Sequence, residues 1–494
     1  MSYKKYILAI DQGTSSTKSL IFDEQGLAIA KGAENLHTHY LANGFVEQEP
    51  EVIYQNVLAS VQKCLQQFIE KGFQQSDIAC IGISNQRETF VVWDENGKPL
   101  YNAVVWQCKR SVQVCEELKQ LGMRSIVQQK TGLVIDPYFS ATKLIWLNQQ
   151  HELVRNAIKN KKAFFGTIDT WLLYKLTNGS VYATDYTNAS RTLLFNLHTL
   201  QWDADLIDAF GLTGIQLPSL KPSAANFGST TLNDLLPAAI PVTAMIGDSH
   251  AAAFGEGCFA AGTAKATLGT GCSILMNIGS KPVASANGMV TTICWSMEGR
   301  VDYALEGLIV SCGAAIEWLK NELNLFINSN ETEAMATAVT DNGGVYLIPA
   351  FSGLGSPHWQ MDRKASIHGL SFGSNKKHIV RAGLEAIAYQ VKDVVVAMEK
   401  DAELFLKELN IDGGMTANQW LMQQITDLVE KKVNTIGMTD VSALGAGLLA
   451  GLQLGFFESI TQLQQLLNKN VQYHPTTGAA ILKGYDGWLK LVQA

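Results

Sequence analysis

Two apolar strands joined by a tight turn are predicted by the segment Tyr6-Ile-Leu-Ala-Ile-Asp-Gln-Gly-Thr-Ser-Ser-Thr-Lys-Ser-Leu-Ile-Phe22. Residues 6–10 are continuously apolar, Gln12 and Gly13 supply the turn, and residues 19–22 form the returning strand. The same pattern recurs later in the chain as Lys265-Ala-Thr-Leu-Gly-Thr-Gly-Cys-Ser-Ile-Leu-Met276. Two hairpins with a Gly-Thr turn indicate a duplicated architecture.

The segments around these hairpins alternate between helical and strand patterns. Helical spacing over residues 52–69 precedes a strand at 78–83, a polar elbow at 84–88 and another strand at 90–93. This alternation is typical of the α/β class. A chain of 494 residues is long enough for two large domains. We place the change of domain in the small-residue segment 251–262, which predicts domains at 1–253 and 254–494 with a central cleft between them.

Composition excludes several classes of ligand and location. The chain has 38 Lys and Arg against 45 Asp and Glu, a net charge of −7, which is the wrong sign for a nucleic-acid-binding protein. The most apolar stretch, residues 443–457, contains four glycines and is shorter than the roughly 20 residues of a membrane-spanning helix. The eight cysteines include no Cys-x-x-Cys pair. We therefore predict a soluble, cytoplasmic protein with reduced thiols and no membrane insertion.

Asp11 and the hydroxyl-rich turn that follows it form a candidate anion and metal site. A carboxylate at the end of an apolar strand needs a cation or several donors. The run Gly13-Thr-Ser-Ser-Thr-Lys18 offers close backbone approach, four hydroxyls and one positive charge, which suits phosphate oxygens. An ordinary glycine turn with solvated hydroxyls is the alternative. A P-loop is excluded, because the only Gly-Lys pair, at 97–98, is followed by Pro99.

Two further polar positions follow predicted strands. Asp248 comes after the strand 241–246 and opens a small-residue helix, so it is either a helix N-cap or a general base for a substrate hydroxyl. Arg87 and Glu88 follow the strand 78–83, and they can face one ligand only if the backbone turns there. Such a pair could bind vicinal hydroxyls, and a surface ion pair is the alternative.

Two glycine-containing patterns remain ambiguous on residues alone. Gly413 and Gly414 precede a predicted helix, for which Thr416 and Gln419 fit a capping box. The glycines could admit a base or ribose, or could form a plain tight turn. Gly369-Leu-Ser-Phe-Gly373 fits the Gly-x-Ser-x-Gly pattern of a hydrolase nucleophile elbow, but the polar break at 374–377 is not the immediate helix that such an elbow requires.

Together these segments resemble the FGGY family of carbohydrate kinases within the actin-like ATPase superfamily, and in particular its glycerol-phosphorylating branch. The resemblance covers nearly the whole chain and rests on several motifs in order. They are Asp11-Gln-Gly-Thr14, Ser84-Asn-Gln-Arg-Glu-Thr89, Val105-Trp-Gln-Cys108, Asp136-Pro-Tyr-Phe-Ser140, Asp185-Tyr-Thr-Asn-Ala-Ser-Arg-Thr192, Gly269-Thr-Gly-Cys272 and Leu305-Glu-Gly307.

The resemblance implies an actin-like fold with duplicated RNase-H-like cores, with ATP and Mg²⁺ as cofactors and a homodimer or homotetramer as the assembly. It implies that Asp248 is the catalytic base and that Asp11 holds magnesium through water. The implied polyol-binding residues are Arg87, Glu88, Trp106, Tyr138, Asp248 and Ser249. The implied ATP-binding residues are Thr14, Ser15, Ser16, Lys18, Gly269, Thr270, Gly313, Glu317, Gly414 and Asn418.

The activity that the resemblance implies is phosphorylation of a terminal hydroxyl of a small polyol by ATP, with glycerol giving sn-glycerol 3-phosphate. Ser249 stands where that branch usually has Gln, and Ser273 where an aromatic residue is common. A kinase for a four- or five-carbon polyol or ketose is therefore the alternative. Lys18 for Arg and Glu317 for Gln are changes at the nucleotide positions, and they leave a non-catalytic nucleotide-binding regulator as a further alternative.

Overall fold

The computed structural model describes residues 5–467, 471–476 and 479–493, which form 24 strands and 16 α-helices. The strands are β1 Tyr6–Gln12, β2 Ser16–Phe22, β3 Ala28–Asn35, β4 His39–Tyr40, β5 Val46–Gln48, β6 Ile78–Asn85, β7 Phe90–Trp93, β8 Ala103–Val104, β9 Phe164–Thr167, β10 Ala183–Asp185, β11 Phe195–Asn196, β12 Gln201–Trp202, β13 Ser219–Lys221, β14 Ser229–Thr230, β15 Ile240–Gly247, β16 Thr263–Leu268, β17 Cys272–Gly279, β18 Val290–Met297, β19 Arg300–Ile309, β20 Tyr346–Ile348, β21 Ser366–His368, β22 Glu408–Asp412, β23 Lys432–Thr435 and β24 Val471–Tyr473.

The helices are α1 Pro50–Glu70, α2 Val112–Gln120, α3 Arg124–Thr131, α4 Ser140–Gln150, α5 Glu152–Lys159, α6 Ile168–Leu176, α7 Tyr186–Ala189, α8 Ala204–Ala209, α9 Asp248–Gly255, α10 Gly313–Asn321, α11 Glu331–Thr337, α12 Lys376–Ala402, α13 Gln419–Val429, α14 Val441–Leu454, α15 Ile460–Leu466 and α16 Ala479–Gln493. None of the helices in the described ranges is both long and apolar enough to cross a bilayer.

Two large sheets repeat one topology. The first has the strand order β14-β15-β6-β1-β2-β3, in which β1, β2 and β3 are antiparallel neighbours while β6 and β15 run parallel to β1. The second has the order β18-β19-β17-β16-β22-β23-β24, with β16, β17 and β19 antiparallel and β22 and β23 parallel to β16. The predicted hairpins are β1-β2 and β16-β17, so each opens one of the two copies.

Strand β1 is apolar on both of its faces, and helices cover the first sheet on both sides. In β1 the continuous apolar run buries both faces, as expected for a strand that has a parallel neighbour and a helix layer on each side. Helix α1 begins at Pro50, a favoured first-turn residue, and packs Ile53, Val57 and Val61 against the first sheet. The predicted helix at 52–69 is thus confirmed, with two more residues at its N-terminus and one at its C-terminus.

Helices α9 and α14 lie between the two sheets. Their buried residues share one core with Ala9 of β1 and Leu275 of β17. A Cβ on Gly445 would lie 1.8 Å from the carbonyl oxygen of Ala251, so the approach of α14 to α9 requires glycine there. The apolar stretch 443–457 is therefore mainly a buried core helix. Since α14 also packs on β1, β6 and β15, part of the second half belongs to the packing of the first sheet, and the division at 253/254 stays a prediction.

Candidate active site

A cavity of about 1190 Å³ lies between the two sheets, at the ends of β1, β6, β16 and β22. Ligands of α/β sheets bind at this edge, where the carboxyl ends of the strands meet. Twelve of the predicted site residues line the cavity, and they come from both halves of the chain. They are Asp11, Thr14, Lys18, Arg87, Glu88, Trp106, Tyr138, Asp248, Ser249, Gly269, Thr270 and Gly414.

The backbone turns sharply at Glu88, as the sequence argument required. Glu88 has φ of 60°, and the Thr89 N–H donates to the Arg87 carbonyl over 2.6 Å, which makes a tight γ-turn. This left-handed conformation is costly for a non-glycine residue and is found where a site fixes it. Arg87 and Glu88 are only 6% and 1% exposed, so the alternative of a surface ion pair is wrong.

A network of two arginines and three carboxylates lies at one wall of the cavity, which three of its members, Arg87, Glu88 and Asp248, line. Arg87 lies 3.1 Å from Asp248 and 2.8 Å from Glu306, and Arg191 lies 2.6 Å from Glu88 and 2.7 Å from Glu306. Burial alone would raise the pKa of Glu306, but the two guanidinium groups hold it well below its usual range. Glu306 is therefore a charged carboxylate that joins the second sheet to the elbow of the first.

Asp248 is the first residue of α9, and Gly247 occupies the N-cap position. Asp248 Oδ1 accepts a hydrogen bond from the Ser249 N–H at 2.6 Å and forms an ion pair of 3.1 Å with Arg87 Nε. Its Oδ2 makes no hydrogen bond with any residue that the structure describes, and the side chain is 38% exposed in the cavity. One carboxylate oxygen is thus fixed while the other is free to accept a proton.

Two aromatic side chains form the apolar part of the same wall. The Trp106 indole N–H donates to Thr14 Oγ1 over 2.9 Å, and its ring meets Tyr138 edge-on with centroids 5.5 Å apart. The loop that carries Tyr138 is held by Lys143, whose fully buried ammonium donates to the carbonyls of Pro137 and Tyr138 over 2.8 and 2.6 Å. The positions of these rings are therefore set by buried polar contacts.

The first hairpin brings Asp11 and Lys18 to the cavity as register partners. Ser84 donates to Asp11 over 2.9 Å, while burial and then the nearby Asp248 raise the pKa of Asp11 to about 6. Lys18 forms an ion pair of 3.0 Å with Asp440. Ser15 and Ser16 lie on the same turn but not in the cavity lining, and their role at phosphate stays a prediction.

The second hairpin is braced by the start of α10. The Gly313 N–H donates to the carbonyl of Gly269 over 2.9 Å, and a Cβ at Gly313 would come within 2.7 Å of that same oxygen. Cys312 and Ala314 donate to the carbonyl of Thr270. The turn is thus held rigidly at the cavity, with Gly313 behind it rather than in the lining.

Of the residues predicted to surround adenosine, Gly313, Glu317, Gly414 and Asn418, only Gly414 lines the cavity. The predicted capping box is wrong, because Asn418, and not Thr416, caps α13 by accepting from the Leu421 N–H over 2.8 Å. Thr416 instead donates to the carbonyl of Gly413. Glu317 is exposed and pairs with Lys320, so its assignment to nucleotide, like that of Asn418, stays a prediction.

The hydrolase pattern at 369–373 is not a nucleophile elbow. It follows the short, half-buried strand β21, lies in an exposed loop, and α12 begins only at Lys376. Ser371 contacts Ser374 and, in the described part of the chain, no histidine.

Sequence reasoning missed three charged cavity or network residues: Arg191, Glu306 and Lys265. Each is buried, and each belongs to a segment that looked purely structural. Arg191 and Glu306 lie within two of the motifs on which the family resemblance rests, Asp185–Thr192 and Leu305–Gly307. A charged residue within an apolar strand was the feature of the sequence that could have indicated a functional role.

With this geometry established, comparison with known proteins is informative. The model of the FGGY family of carbohydrate kinases matches residues 6–255 with its N-terminal domain and residues 264–454 with its C-terminal domain. A glycerol kinase of Bacillus cereus (strain Q1) is 42% identical over 493 residues, which is 99% of each chain. Glycerol kinase 2 of Thermotoga maritima is 43% identical over 473 residues, 96% of this chain and 95% of that one. The crystal structure of Plasmodium falciparum glycerol kinase with ADP has a TM-score of 0.93 and 36% identity, and it covers 99% of this chain and 97% of that one.

The chain therefore belongs to the FGGY family of carbohydrate kinases. Its resemblance to that family and its actin-like α/β fold, both predicted from the sequence, are confirmed.

Proposed function

We propose that this protein transfers the γ-phosphoryl group of ATP to a terminal hydroxyl of glycerol and forms sn-glycerol 3-phosphate. The observation that carries the proposal is that Asp248 lines the cavity beside Arg87 and Glu88 and that its Oδ2 makes no hydrogen bond to any described residue. The full-length similarity to glycerol kinases supports glycerol as the substrate.

The polyol would bind between the polar elbow and the aromatic wall. Glu88 is a hydroxyl acceptor, and Arg87 Nη1 is a buried donor without a hydrogen-bond partner among the described residues. Trp106 and Tyr138 would cover the carbon chain. Fixed donors and acceptors of this kind orient one terminal hydroxyl toward Asp248, and orientation is a major part of phosphoryl-transfer catalysis.

Asp248 would accept the proton of that hydroxyl as the oxygen attacks phosphorus. A positioned base of this type contributes about 10²- to 10⁴-fold to the rate. Thr14 of the first hairpin turn and Gly269 and Thr270 of the second line the same cavity, and such turns suit phosphate oxygens.

Asp11 fits magnesium on its chemistry. It is a buried carboxylate with one hydroxyl donor, so a cation would stabilise its charged form. No group of three or more acidic, His or Cys side chains in the described ranges could hold a metal alone, and magnesium commonly uses one or two carboxylates plus phosphate and water. Bound there, the ion would neutralise phosphate charge.

The Asp248→Asn variant tests the proposed base. We expect turnover to fall at least 100-fold while the affinity for ATP stays within about twofold, because the amide keeps the shape but cannot take a proton. ADP release measured with Mg-ATP and glycerol reports turnover, and calorimetry reports ATP binding. Unchanged turnover would remove Asp248 as the base, and a wild type that binds ATP but phosphorylates nothing would support a non-catalytic regulator.

A longer polyol or ketose is the second candidate substrate. Ser249 and Ser273 hydrogen-bond to each other at 3.2 Å, and Ser273 donates to Glu306 at 3.0 Å, so two short side chains line the substrate wall. A panel of glycerol, erythritol, xylitol, xylulose, ribulose and dihydroxyacetone ranks them by kcat/KM. Glycerol at the bottom of that ranking would overturn the first assignment.

A cytoplasmic location is proposed on the cysteines, since the eight of them include no Cys-x-x-Cys pair and all are buried. The predicted homodimer or homotetramer stays a prediction, which light scattering on the purified protein tests.

A further inference from the structure

Lys265 is placed on the cavity side of β16 by strand periodicity. Ala264, Ala266 and Leu268 pack into the core of the second sheet, and the alternate residues Lys265 and Thr267 line the cavity. The same strand ends in the Gly269-Thr270 turn. Lys265 therefore lies on the wall that leads to the second phosphate turn.

The ammonium of Lys265 is buried without a counter-ion. The residue is 1% exposed, and its Nζ donates to Thr267 Oγ1 over 2.9 Å. No carboxylate oxygen of the described residues lies within 4.0 Å of it, whereas Lys18 pairs with Asp440. Arg87 pairs with both Asp248 and Glu306. Among the cations that line this cavity, Lys265 is the one left unpaired within the described chain.

Two acidic groups lie near this lysine and do not neutralise it by contact. Asp412 is the neighbour of Thr267 in the β16-β22 register, and its buried Oδ1 has no hydrogen bond to any described residue. Burial, and then the charge of Asp412, raises the pKa of Glu256 well above its usual range, so Glu256 keeps its proton. The wall thus has a buried cation with only one nearby carboxylate, and that carboxylate is beyond ion-pair distance.

We propose that Lys265 binds the phosphate chain of the nucleotide. The inference rests on the proposed ATP-dependent function. A buried ammonium without a partner is costly, and a protein retains one where a ligand anion completes the pair. Lys265 lies on the strand that leads into the Gly269-Thr270 turn, so its charge is on the same wall as that turn. The residues predicted from the sequence to bind phosphate did not include this cation.

The test compares Lys265→Met with Lys265→Arg and with the control Lys432→Met. Lys432 lies in the same sheet, on β23, and pairs with Glu408 outside the cavity lining. Calorimetry measures dissociation constants for ATP, ADP and adenosine in the full-length protein. For the Met variant we expect ATP and ADP to bind about 10- to 100-fold more weakly, the range for loss of a charged hydrogen bond, with adenosine unchanged. The Arg variant should recover part of the loss, and the control should match the wild type.

Thermal unfolding without nucleotide separates this role from a structural one. Removing a buried unpaired charge should leave the midpoint of the Met variant unchanged or higher. Unchanged ATP affinity, an equal loss for adenosine, or a Met variant that does not fold would each overturn the proposal for Lys265. A wild type that binds neither ATP nor ADP would instead overturn the proposed function.

Discussion

Replacing Glu306 by Gln should weaken both the fold and the polyol site. Glu306 is 1% exposed and lies between Arg87 and Arg191, and it accepts a third contact from Ser273. The amide keeps the size of the side chain but removes its charge and turns an N–H₂ group toward a guanidinium. Breaking a buried ion pair on one side costs about 3–5 kcal/mol, so we expect a loss of that order in the free energy of unfolding.

The same substitution should raise the KM for glycerol. Arg87 would keep only Asp248 as an ionic partner, and its free Nη1 would no longer be held toward the substrate. Losing the alignment of one charged hydrogen bond costs about 1.5–3 kcal/mol, or roughly 10- to 150-fold in affinity. The KM for ATP should change much less, because Glu306 does not line the part of the cavity near the phosphate turns.

The pH dependence gives a second readout for this variant. The pKa of Glu306 is lowered in the folded state, so its stabilisation is complete above the ordinary glutamate pKa of about 4.3 and is lost as the pH falls below it. The stability difference between wild type and Glu306→Gln should therefore be largest at neutral pH and narrow in acid.

Denaturant titrations at several pH values and steady-state kinetics measure these effects. Glu385→Gln is the matched control, since Glu385 is also buried and pairs with an arginine, but that arginine, Arg381 at 2.8 Å, does not line the cavity, whereas Arg87 does. The control should lose stability with an unchanged KM for glycerol. If Glu306→Gln also left the KM for glycerol within twofold of wild type, the argument that Glu306 positions Arg87 would be refuted.

Two further predictions concern buried titratable groups away from Glu306. Lys143→Met should raise the KM for glycerol with little change in the KM for ATP, because the lysine ammonium binds the carbonyls of Pro137 and Tyr138 and so holds the loop that carries Tyr138. Steady-state kinetics with both substrates tests this expectation. Equal changes in the two constants would contradict it. Asp169 is fully buried, and burial and then Asp185 raise its pKa to about 7, so the folded state holds a proton that the unfolded chain releases near pH 4. The contribution of Asp169 to the free energy of unfolding should therefore decline as the pH rises from about 4 to about 7. In denaturant titrations over that window, Asp169→Asn should gain stability relative to wild type. A stability difference between the two proteins that does not change with pH would contradict the raised pKa of Asp169.

Local patterns were sufficient to predict the elements that carry most of the site. The Gly-Thr hairpins, the turn at Arg87-Glu88 and the elbow before Asp248 each depend on contiguous residues. Glu306 could not be assigned in this way, because its role depends on where Arg87 and Arg191 lie in the fold. The predicted capping box also failed for a structural reason. Residues Gly414–Ala417 form a 3₁₀ turn, so α13 begins only at Gln419 and its N-cap is Asn418 rather than Thr416.

The packing of α14 was equally beyond local pattern reading. Its glycines were visible, but their purpose is the approach to α9 and to the first sheet, which involves residues far away in the chain. Helical periodicity shows that a segment is buried and does not show which sheet buries it. The division of the chain at 253/254 stays a prediction, and α14, which lies in the second half, packs against β1, β6 and β15 of the first sheet.

The charge balance of the cavity explains how one cleft could bind a neutral polyol and an anionic nucleotide side by side. At the proposed polyol wall, the charges of Arg87 and Arg191 are balanced by the carboxylates of Asp248, Glu88 and Glu306. Such a wall offers hydrogen bonds to hydroxyls without attracting phosphate strongly. Lys265 has no ionic partner in the described chain and lies on β16, the strand that leads to the Gly269-Thr270 turn. In the proposed complex its charge would attract the phosphate chain while Arg87 and Glu88 bind the polyol, so that the two substrates would meet at Asp248 for in-line phosphoryl transfer.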